Sequence, residues 1–307
     1  MKRFVRVIFL ALFCGMLVFA NATAAIKTRE ISMQPAVDVE ESIGSGFSYG
    51  VQILNHKGKL LSTLKSGQLR DGVILAFTNL TDKPLKIKFL MLSNGQPQKF
   101  SVAQGEEAYE FAYEIDAAST VNFPVSAAPE NGYPSSDSEF LFLLNTDCVP
   151  MGENDDVCFY TFSHPFRIEG DVNASLRQPI ESATREMTAE ELDESGDSFY
   201  SAAAFVSGQQ TTPEKLLRLT GEADCRIRVR SSGPAGVYAR LLFINDCLVF
   251  QNGKACELFS LEENQTFERE YDLKYLFEDT TVYSVTVEVG AEGWRSSDTS
   301  KLRILFQ

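Results

Sequence analysis

Residues 281–306 decide the fold class; they include TVYSVTVEV (281–289), GAEGWRSSDTS (290–300) and LRILF (302–306). In the first and last of these segments, apolar side chains recur at every second position, the pattern of a strand with one buried face. The middle segment is rich in glycine, serine and aspartate, which favour turns and loops. The sequence therefore predicts a β-hairpin in this part of the chain.

The loop of this hairpin has a counterpart in the first half of the chain. GYPSSDS at 132–138 recurs 161 positions later as GWRSSDT at 293–299. Further matches follow in the same order along the chain: residues 75–79 with 241–245, Asn94-Gly95 with Asn252-Gly253, Tyr109 with Phe267, and Tyr113 with Tyr271. A colinear series of this kind predicts an internal duplication, in which the paired aromatic residues occupy equivalent buried positions.

Each copy contains short strands separated by turn residues. In the first copy they fall at residues 73–77, 85–91, 100–102, 108–115, 121–125 and 139–144. Strands at spacings of about 8–12 residues are typical of a β-sandwich. The sequence thus predicts an all-β protein with two tandem sandwiches and separate cores, the second able to fold alone. The predicted organisation is a signal peptide at 1–24, a first sandwich at 45–170, a linker with a short helix at 171–195, and a second sandwich at 196–307.

Two resemblances to known families accompany this pattern. The hairpin at 281–306 resembles the last hairpin of fibronectin type III and other immunoglobulin-like sandwiches, which implies tandem immunoglobulin-like domains. FTNLTDKP at 77–84, followed by YPSSDSEFLFLLN at 133–145, is similar to phrases in periplasmic pilus chaperones. Those chaperones are exported pairs of immunoglobulin-like domains, so this second resemblance implies a protein that binds pilus subunits.

The N-terminus has the pattern of a secretory signal. Lys2, Arg3 and Arg6 precede an apolar run at 7–19, and the small-residue site Ala22-Thr23-Ala24 follows. We expect cleavage after Ala24 and export to the periplasm or the medium, without membrane insertion of the mature chain. Loss of the three basic residues takes the net charge from −14 to −17. So acidic a chain is a poor candidate for binding nucleic acid or an anionic membrane.

Closely spaced cysteines in an exported chain predict disulfides. Five cysteines follow the signal segment: Cys148, Cys158, Cys225, Cys247 and Cys256. Cys148 and Cys158 enclose the acidic loop 152–156, whereas Cys247 and Cys256 flank Asn252-Gly253, a dipeptide that favours a hairpin turn. Cys225 is then either a buried thiol or a competitor for Cys247 or Cys256. The acidic loop offers oxygen ligands for Ca²⁺ but lacks the spacing of a dedicated site, so a solvated loop is favoured.

Catalytic motifs are sparse. GFSYG at 46–50 fits the G-x-S-x-G pattern of a hydrolase nucleophile, but the strand-like residues 51–54 follow it where a helix is needed. The chain has only two histidines, His56 and His164, to serve as a base. We therefore expect no enzymatic activity, no cofactor and no bound metal.

The loops at the ends of sandwiches are the expected binding surfaces. Tyr133 and Trp294 occupy one repeat position, and Asp137 and Asp298 another. An exposed aromatic side chain there can stack on a sugar or anchor a protein partner. The sequence predicts an exported, non-enzymatic module that recognises a protein or a cell-surface glycan. The alternatives are a pilus-chaperone-like binder of subunits, and a carbohydrate-binding or hydrolase accessory protein.

Overall fold

The structure is a computed structural model that describes most of the chain after residue 48. The described residues are 49–61, 64–65, 68–93, 95–127, 139–145, 161–169, 184–195, 199–207, 210–212, 214–220, 223–251, 253–276, 278–289, 296–299 and 301–306. The predicted signal peptide, the GFSYG motif apart from its last two residues, and the loop 152–156 lie outside them.

Strands make up most of the described residues. In the first half they are β1 (Tyr49–Leu54), β2 (Leu64–Lys65), β3 (Val73–Asn79), β4 (Leu85–Ser93), β5 (Gln96–Gln98), β6 (Ser101–Val102), β7 (Glu110–Ile115), β8 (Thr120–Ser126), β9 (Glu139–Asn145) and β10 (Thr161–Glu169). In the second half they are β11 (Thr184–Glu186), β12 (Tyr200–Ser207), β13 (Gln210–Thr211), β14 (Leu216–Leu219), β15 (Ala223–Ser232), β16 (Gly236–Ile244), β17 (Cys247–Leu248), β18 (Glu257–Leu261), β19 (Gln265–Leu276), β20 (Thr280–Glu288), β21 (Ser296–Asp298) and β22 (Leu302–Phe306). Two short helices accompany them, α1 (Gln68–Asp71) and α2 (Ala189–Ser195).

The first half is a β-sandwich. Its four-stranded sheet has the order β1-β3-β8-β6, and its six-stranded sheet has the order β2-β10-β9-β4-β5 with β7 also paired to β4. The facing sides of the two sheets enclose one apolar core, to which β3 contributes Leu75 and Phe77, β4 contributes Phe89, and β8 contributes Phe123. This packing explains the period-two pattern of the sequence, because every second side chain of these strands points into the core.

The second half is built in the same way. A five-stranded sheet, β11-β19-β15-β12-β13, faces a seven-stranded sheet, β14-β22-β20-β16-β17, to which β18 and β21 are also paired. The two halves share a pattern of pairing: β1 pairs antiparallel with β3 in the first half, and β12 pairs antiparallel with β15 in the second. A short strand then crosses to the opposite sheet and pairs in parallel with the last strand of its half, as β2 with β10 and β14 with β22.

This shared strand order does not support the residue matches predicted from the sequence. Strand order equates β3 with β15, whereas the sequence matches residues 75–79 of β3 with 241–245, which begin in β16. Tyr113 lies in β7, which pairs with β4, but Tyr271 lies in β19, in the sheet opposite β16. The predicted equivalence of Tyr113 with Tyr271 is therefore wrong, because alternating strands share a local pattern whatever sheet they join. The duplication itself stays a prediction.

A third core joins the two halves, and we call it the junction core. Leu90 and Leu92, on the side of β4 that faces away from the first sandwich, pack against Leu241 and other side chains of the second half. Its further members are Ala239, Phe243, Leu248, Ala255, Cys256, Leu258, Tyr283, Val285 and Val287. The two sandwiches have cores of their own, as expected, but the junction core adds a contact that the sequence analysis does not predict, because β4 and β16 are each buried on both faces.

The halves approach each other closely at Gly95. A Cβ atom built on Gly95 would lie 2.7 Å from Cγ2 of Val289 and 2.8 Å from Cβ of Ala239, closer than real side chains tolerate. Gly95 also has a φ of +74°, which other residues adopt only with strain. Polar contacts border the same surface: Lys88 lies 3.4 Å from the Glu110 carboxylate, which accepts a 3.0 Å hydrogen bond from the backbone N–H of Leu248.

A buried polar cluster divides the interior of the second sandwich. Arg240, only 1% exposed, donates from Nη2 to the Ser231 hydroxyl and to the Phe267 carbonyl, both at 2.9 Å. Directly opposite it in the β16–β18 register lies Glu257, which accepts a hydrogen bond from the Tyr271 hydroxyl and lies 3.3 Å from Nε of Arg269. Nε and Nη1 of Arg240 have no hydrogen-bond partner among the described residues. We call Arg240, Glu257, Tyr271 and Ser231 the buried polar cluster.

The helix α2 begins with a capping box. The Thr188 hydroxyl accepts a hydrogen bond from the Glu191 N–H at 3.3 Å, and the Glu191 carboxylate accepts one from the Thr188 N–H at 2.8 Å. Glu191 also accepts hydrogen bonds from Arg185 and Arg230, and the Arg185 contact holds the pKa of Glu191 well below its usual range. Through these ion pairs α2 is tied to β11 and β15, and so to the second sandwich.

Candidate functional site

Most of the predicted site residues lie outside the described part of the chain. This holds for Tyr133, Asp137 and Trp294, and for Cys148 and Cys158. Asp298 ends β21, where its backbone pairs opposite Val285 of β20. The binding role of these loops and the Cys148–Cys158 disulfide therefore stay predictions.

The predicted Cys247–Cys256 disulfide is not formed in the structure. Cys225, Cys247 and Cys256 are the free thiols among the described residues. The turn at 251–254 does form, with a bridge between Gln251 and Lys254, but its flanking segments do not pair with each other. Cys247 instead pairs opposite Ile244 at the end of β16, while the residue after Cys256 pairs opposite Arg240 in the middle of that strand. Strand pairing to β16 thus separates two cysteines that a simple hairpin would bring together.

A cleft opens where a strand ladder ends. β12 and β15 pair from Tyr200 opposite Ser232 to Phe205 opposite Ile227. Beyond Phe205, β12 leaves β15 and pairs with β13 instead. The first residues of β15 then have β19 on one side and no strand on the other within the described chain. The gap forms a cleft of about 730 Å³, within the range of ligand-binding pockets.

The floor of the cleft is apolar and its rim is charged. Phe205, Leu216, Leu217 and Cys225 are buried or half-buried, and Phe205, Leu217 and Cys225 belong to or pack against the core of the second sandwich. The exposed lining residues are Ser207, Glu214, Asp224, Arg226, Asp272 and Lys274. The cleft is therefore an opening in the core, bordered by three carboxylates and two cationic side chains.

One cationic side chain of the rim, Arg226, already forms ion pairs within the protein. Nε of Arg226 lies 3.0 Å from Asp272, and its Nη1 lies 3.3 Å from Glu270. The hydrogen bond to Asp272 raises the pKa of Arg226 above its usual value, so the side chain stays charged. Glu214 and Lys274 therefore remain to contact a ligand at the rim.

Cys225 does not have the character of a nucleophile. Burial raises the pKa of its thiol to about 11, with a further contribution from the charge of Asp224. A thiol with this pKa is almost fully protonated at neutral pH, and the thiolate is the reactive form. The cleft is accordingly suited to binding, with the thiol as one more apolar group of the floor.

The thiols should differ in their rates of alkylation by iodoacetamide at pH 8. The exposed Cys247 should react first, Cys225 more slowly, and Cys256 only on unfolding, because burial raises the pKa of Cys256 to about 12. The rate at Cys225 should rise about tenfold per pH unit until its pKa is reached. Peptide mapping by mass spectrometry measures these rates, with Cys225→Ser to assign the signal. Equal rates at Cys225 and Cys247 would contradict this assignment.

Sequence reasoning missed the cleft because its defining feature is non-local. Phe205, Leu216 and Cys225 are unremarkable strand residues by pattern, and only the departure of β12 from β15 brings them to one opening. Cys225 was singled out only as the cysteine without a nearby partner. The continuous apolar runs Leu90-Met91-Leu92 and Leu241-Leu242-Phe243 are signals for the junction core, since strands buried on both faces lose their alternation.

Comparison with known proteins yields structural neighbours of low similarity. No protein-family model matches the chain, and no curated protein matches it. The chaperone DraB of E. coli aligns over 84% of this chain and 98% of its own, with 11% identity and a TM-score of 0.25. The C-terminal domain of the AgI/II polypeptide BspA of Streptococcus agalactiae aligns over 84% and 99%, with 6% identity and a TM-score of 0.24. Red sea bream transglutaminase aligns over 85% of this chain but only 31% of its own length, with 7% identity and a TM-score of 0.21.

These TM-scores are too low to assign a function by likeness.

Within the described part of the chain, no helix is both long and apolar enough to span a membrane, and no cluster of three histidine, cysteine or acidic side chains has the geometry of a metal site.

Proposed function

We propose that this chain is an exported, non-enzymatic binding protein that holds a segment of a partner protein in the cleft beside Cys225. In this proposal two immunoglobulin-like halves form one scaffold, because they share the junction core. The single observation that carries the proposal is the cleft itself. It combines an apolar floor, a charged rim and, within the described part of the chain, a strand edge that no other strand covers, which are the features of a peptide-binding surface.

Site-specific photo-cross-linking in the native cell tests this function. A photoreactive amino acid at Ser207, on the cleft rim, should give a discrete cross-linked protein on irradiation. The same amino acid at Lys57, an exposed turn residue of the first half, is the matched control and should give none. Absence of a product from Ser207, or equal products from both positions, would contradict a partner protein in the cleft.

Export is supported by the basic start, the apolar run and the site before Ala25. We expect the mature protein to begin at Ala25 and to be recovered outside the cytoplasm. Intact-mass measurement of protein purified from its native compartment gives the N-terminus directly. A mass that retains residues 1–24 would contradict export by this route.

A further inference from the structure

We infer that Lys88 and Cys247 are the two ends of an oxidative cross-link between the halves of the protein. Lys88 belongs to β4 in the first half, and Cys247 belongs to β17 in the second. Nζ of Lys88 lies 3.4 Å from Sγ of Cys247. The inferred bond is a sulfenamide, in which this nitrogen is joined directly to the sulfur. It ties the two halves covalently beside the junction core.

Contacts with two further groups hold the Lys88 amine beside the sulfur. Its Nζ lies 3.4 Å from Oε1 of Glu110 and donates a hydrogen bond to the Asp246 carbonyl. Glu110 also accepts a hydrogen bond from the N–H of Leu248, the residue after Cys247, so one carboxylate positions both reacting groups. The side chain of Lys88 is only 13% exposed. The amine is therefore already oriented towards the sulfur, which favours reaction between the two.

The turn that precedes Cys247 fixes the position of the thiol. Asn245 and Asp246 form this two-residue turn between β16 and β17, with φ values of +50° and +58°. Oδ1 of Asn245 accepts a hydrogen bond from the backbone N–H of Thr281 at 2.8 Å. The Asp246 carboxylate lies 3.1 Å from Nζ of Lys301. Cys247 itself is exposed, so a small oxidant reaches its sulfur.

The other described cysteines are poorly placed to compete with the amine. Cys225 lies in β15, in the opposite sheet of the second sandwich. Cys256 is buried in the junction core and precedes the residue that pairs opposite Arg240, whereas Cys247 pairs opposite Ile244. About three residues of β16 separate these two levels, which corresponds to about 10 Å. The Cα atoms of a disulfide lie closer than this, so the amine is the better partner for oxidised Cys247.

The reaction balances with a peroxide as the oxidant. The peroxide transfers one oxygen atom to the Cys247 thiol, which becomes a sulfenic acid, and the peroxide is reduced to water or an alcohol. The Lys88 ammonium gives up a proton to solvent, and the neutral amine attacks the sulfur. The S–N bond forms as the S–O bond breaks, and the oxygen leaves as water with one proton of the amine. Sulfenic acids condense with nitrogen in this way.

Oxidation of the reduced mature chain with hydrogen peroxide tests the cross-link. After digestion without reductant, mass spectrometry should find the Lys88 peptide joined to the Cys247 peptide, with the loss of two hydrogen atoms. Dithiothreitol should separate the two peptides, because it is oxidised to a disulfide as the thiol and the amine are restored. The inference is overturned if Cys247 is oxidised to its sulfinic acid without a linked peptide, or if Cys247 is not oxidised at all.

Two lysine variants separate this cross-link from general oxidation. Lys88→Arg keeps a positive charge beside Glu110 but has no primary amine, so it should give no linked peptide. Its Cys247 should instead accumulate sulfenic acid, measured as the dimedone adduct. Lys301→Arg is the matched control, since Lys301 contacts the same turn, and it should leave the linked peptide unchanged. A link from Cys247 to Lys301, or equal dimedone adducts in the wild type and Lys88→Arg, would overturn the inference.

Discussion

Replacement of Leu90 by alanine in the first half should destabilise the second half. Leu90 is fully buried in the junction core, against Leu241 and its neighbours. Removing a buried leucine side chain costs about 2–5 kcal/mol of unfolding free energy, through lost burial and the cavity that remains. Because the junction core is shared, this loss should appear in the unfolding of both halves.

Hydrogen exchange of the backbone amides of β15 and β20, measured by mass spectrometry over a range of urea concentrations, reports on the unfolding of the second half. The midpoint should fall for Leu90→Ala, although the substituted residue lies in β4. Leu60→Ala is the control, since Leu60 is 57% exposed in the first half, and it should leave the midpoint unchanged. An unchanged midpoint for Leu90→Ala would mean that the halves unfold independently.

Replacement of Glu257 by alanine should lower the free energy of unfolding about as much as Leu90→Ala does. Within the buried polar cluster, it should be more costly than replacement of Arg240. Loss of the carboxylate leaves the buried Tyr271 hydroxyl without its acceptor and removes the ion pair with Arg269. Loss of a charged hydrogen-bond partner from the interior costs about 3 kcal/mol of unfolding free energy. We expect this loss of unfolding free energy for Glu257→Ala.

Arg240→Met should cost much less, below about 2 kcal/mol. Glu257 keeps its contacts with Tyr271 and Arg269 in this variant, and two nitrogens of Arg240 without hydrogen-bond partners are removed from the interior. Urea unfolding of both variants measures the difference, with the exposed Glu262→Ala as control. If Arg240→Met is as costly as Glu257→Ala, Arg240 stabilises the fold through its contacts with Ser231, Phe267 and the aromatic rings around it.

Local signals predicted the strands well. The last strand was expected at 302–306 and β22 is Leu302–Phe306, while 281–289 was expected and β20 is Thr280–Glu288. Alternation is a property of each strand alone, so a single sequence carries it. The signal that predicts helix α2 is equally local, since Thr188 and Glu191 make the two hydrogen bonds of a capping box.

These local signals do not determine which distant strands pair with each other. The turn at Asn252-Gly253 was expected to close a hairpin, but β17 and β18 both pair with β16, and this choice depends on the whole sheet. Arg240 breaks the apolar pattern of β16 and marks the buried polar cluster, yet the other members of that cluster come from β15, β18 and β19. The cleft depends on where β12 leaves β15, which neither strand specifies by itself.

The junction core also sets an order of events during synthesis. The ribosome completes β4 long before β20, so Leu90 and Leu92 have no partner until almost 200 further residues, up to Val287, have been made. At about 5–20 residues per second this interval lasts roughly 10–40 s. Throughout this interval the newly made first half exposes the apolar side of β4, to which other nascent proteins can bind. A factor that shields apolar surface should therefore act on this chain before its second half is finished.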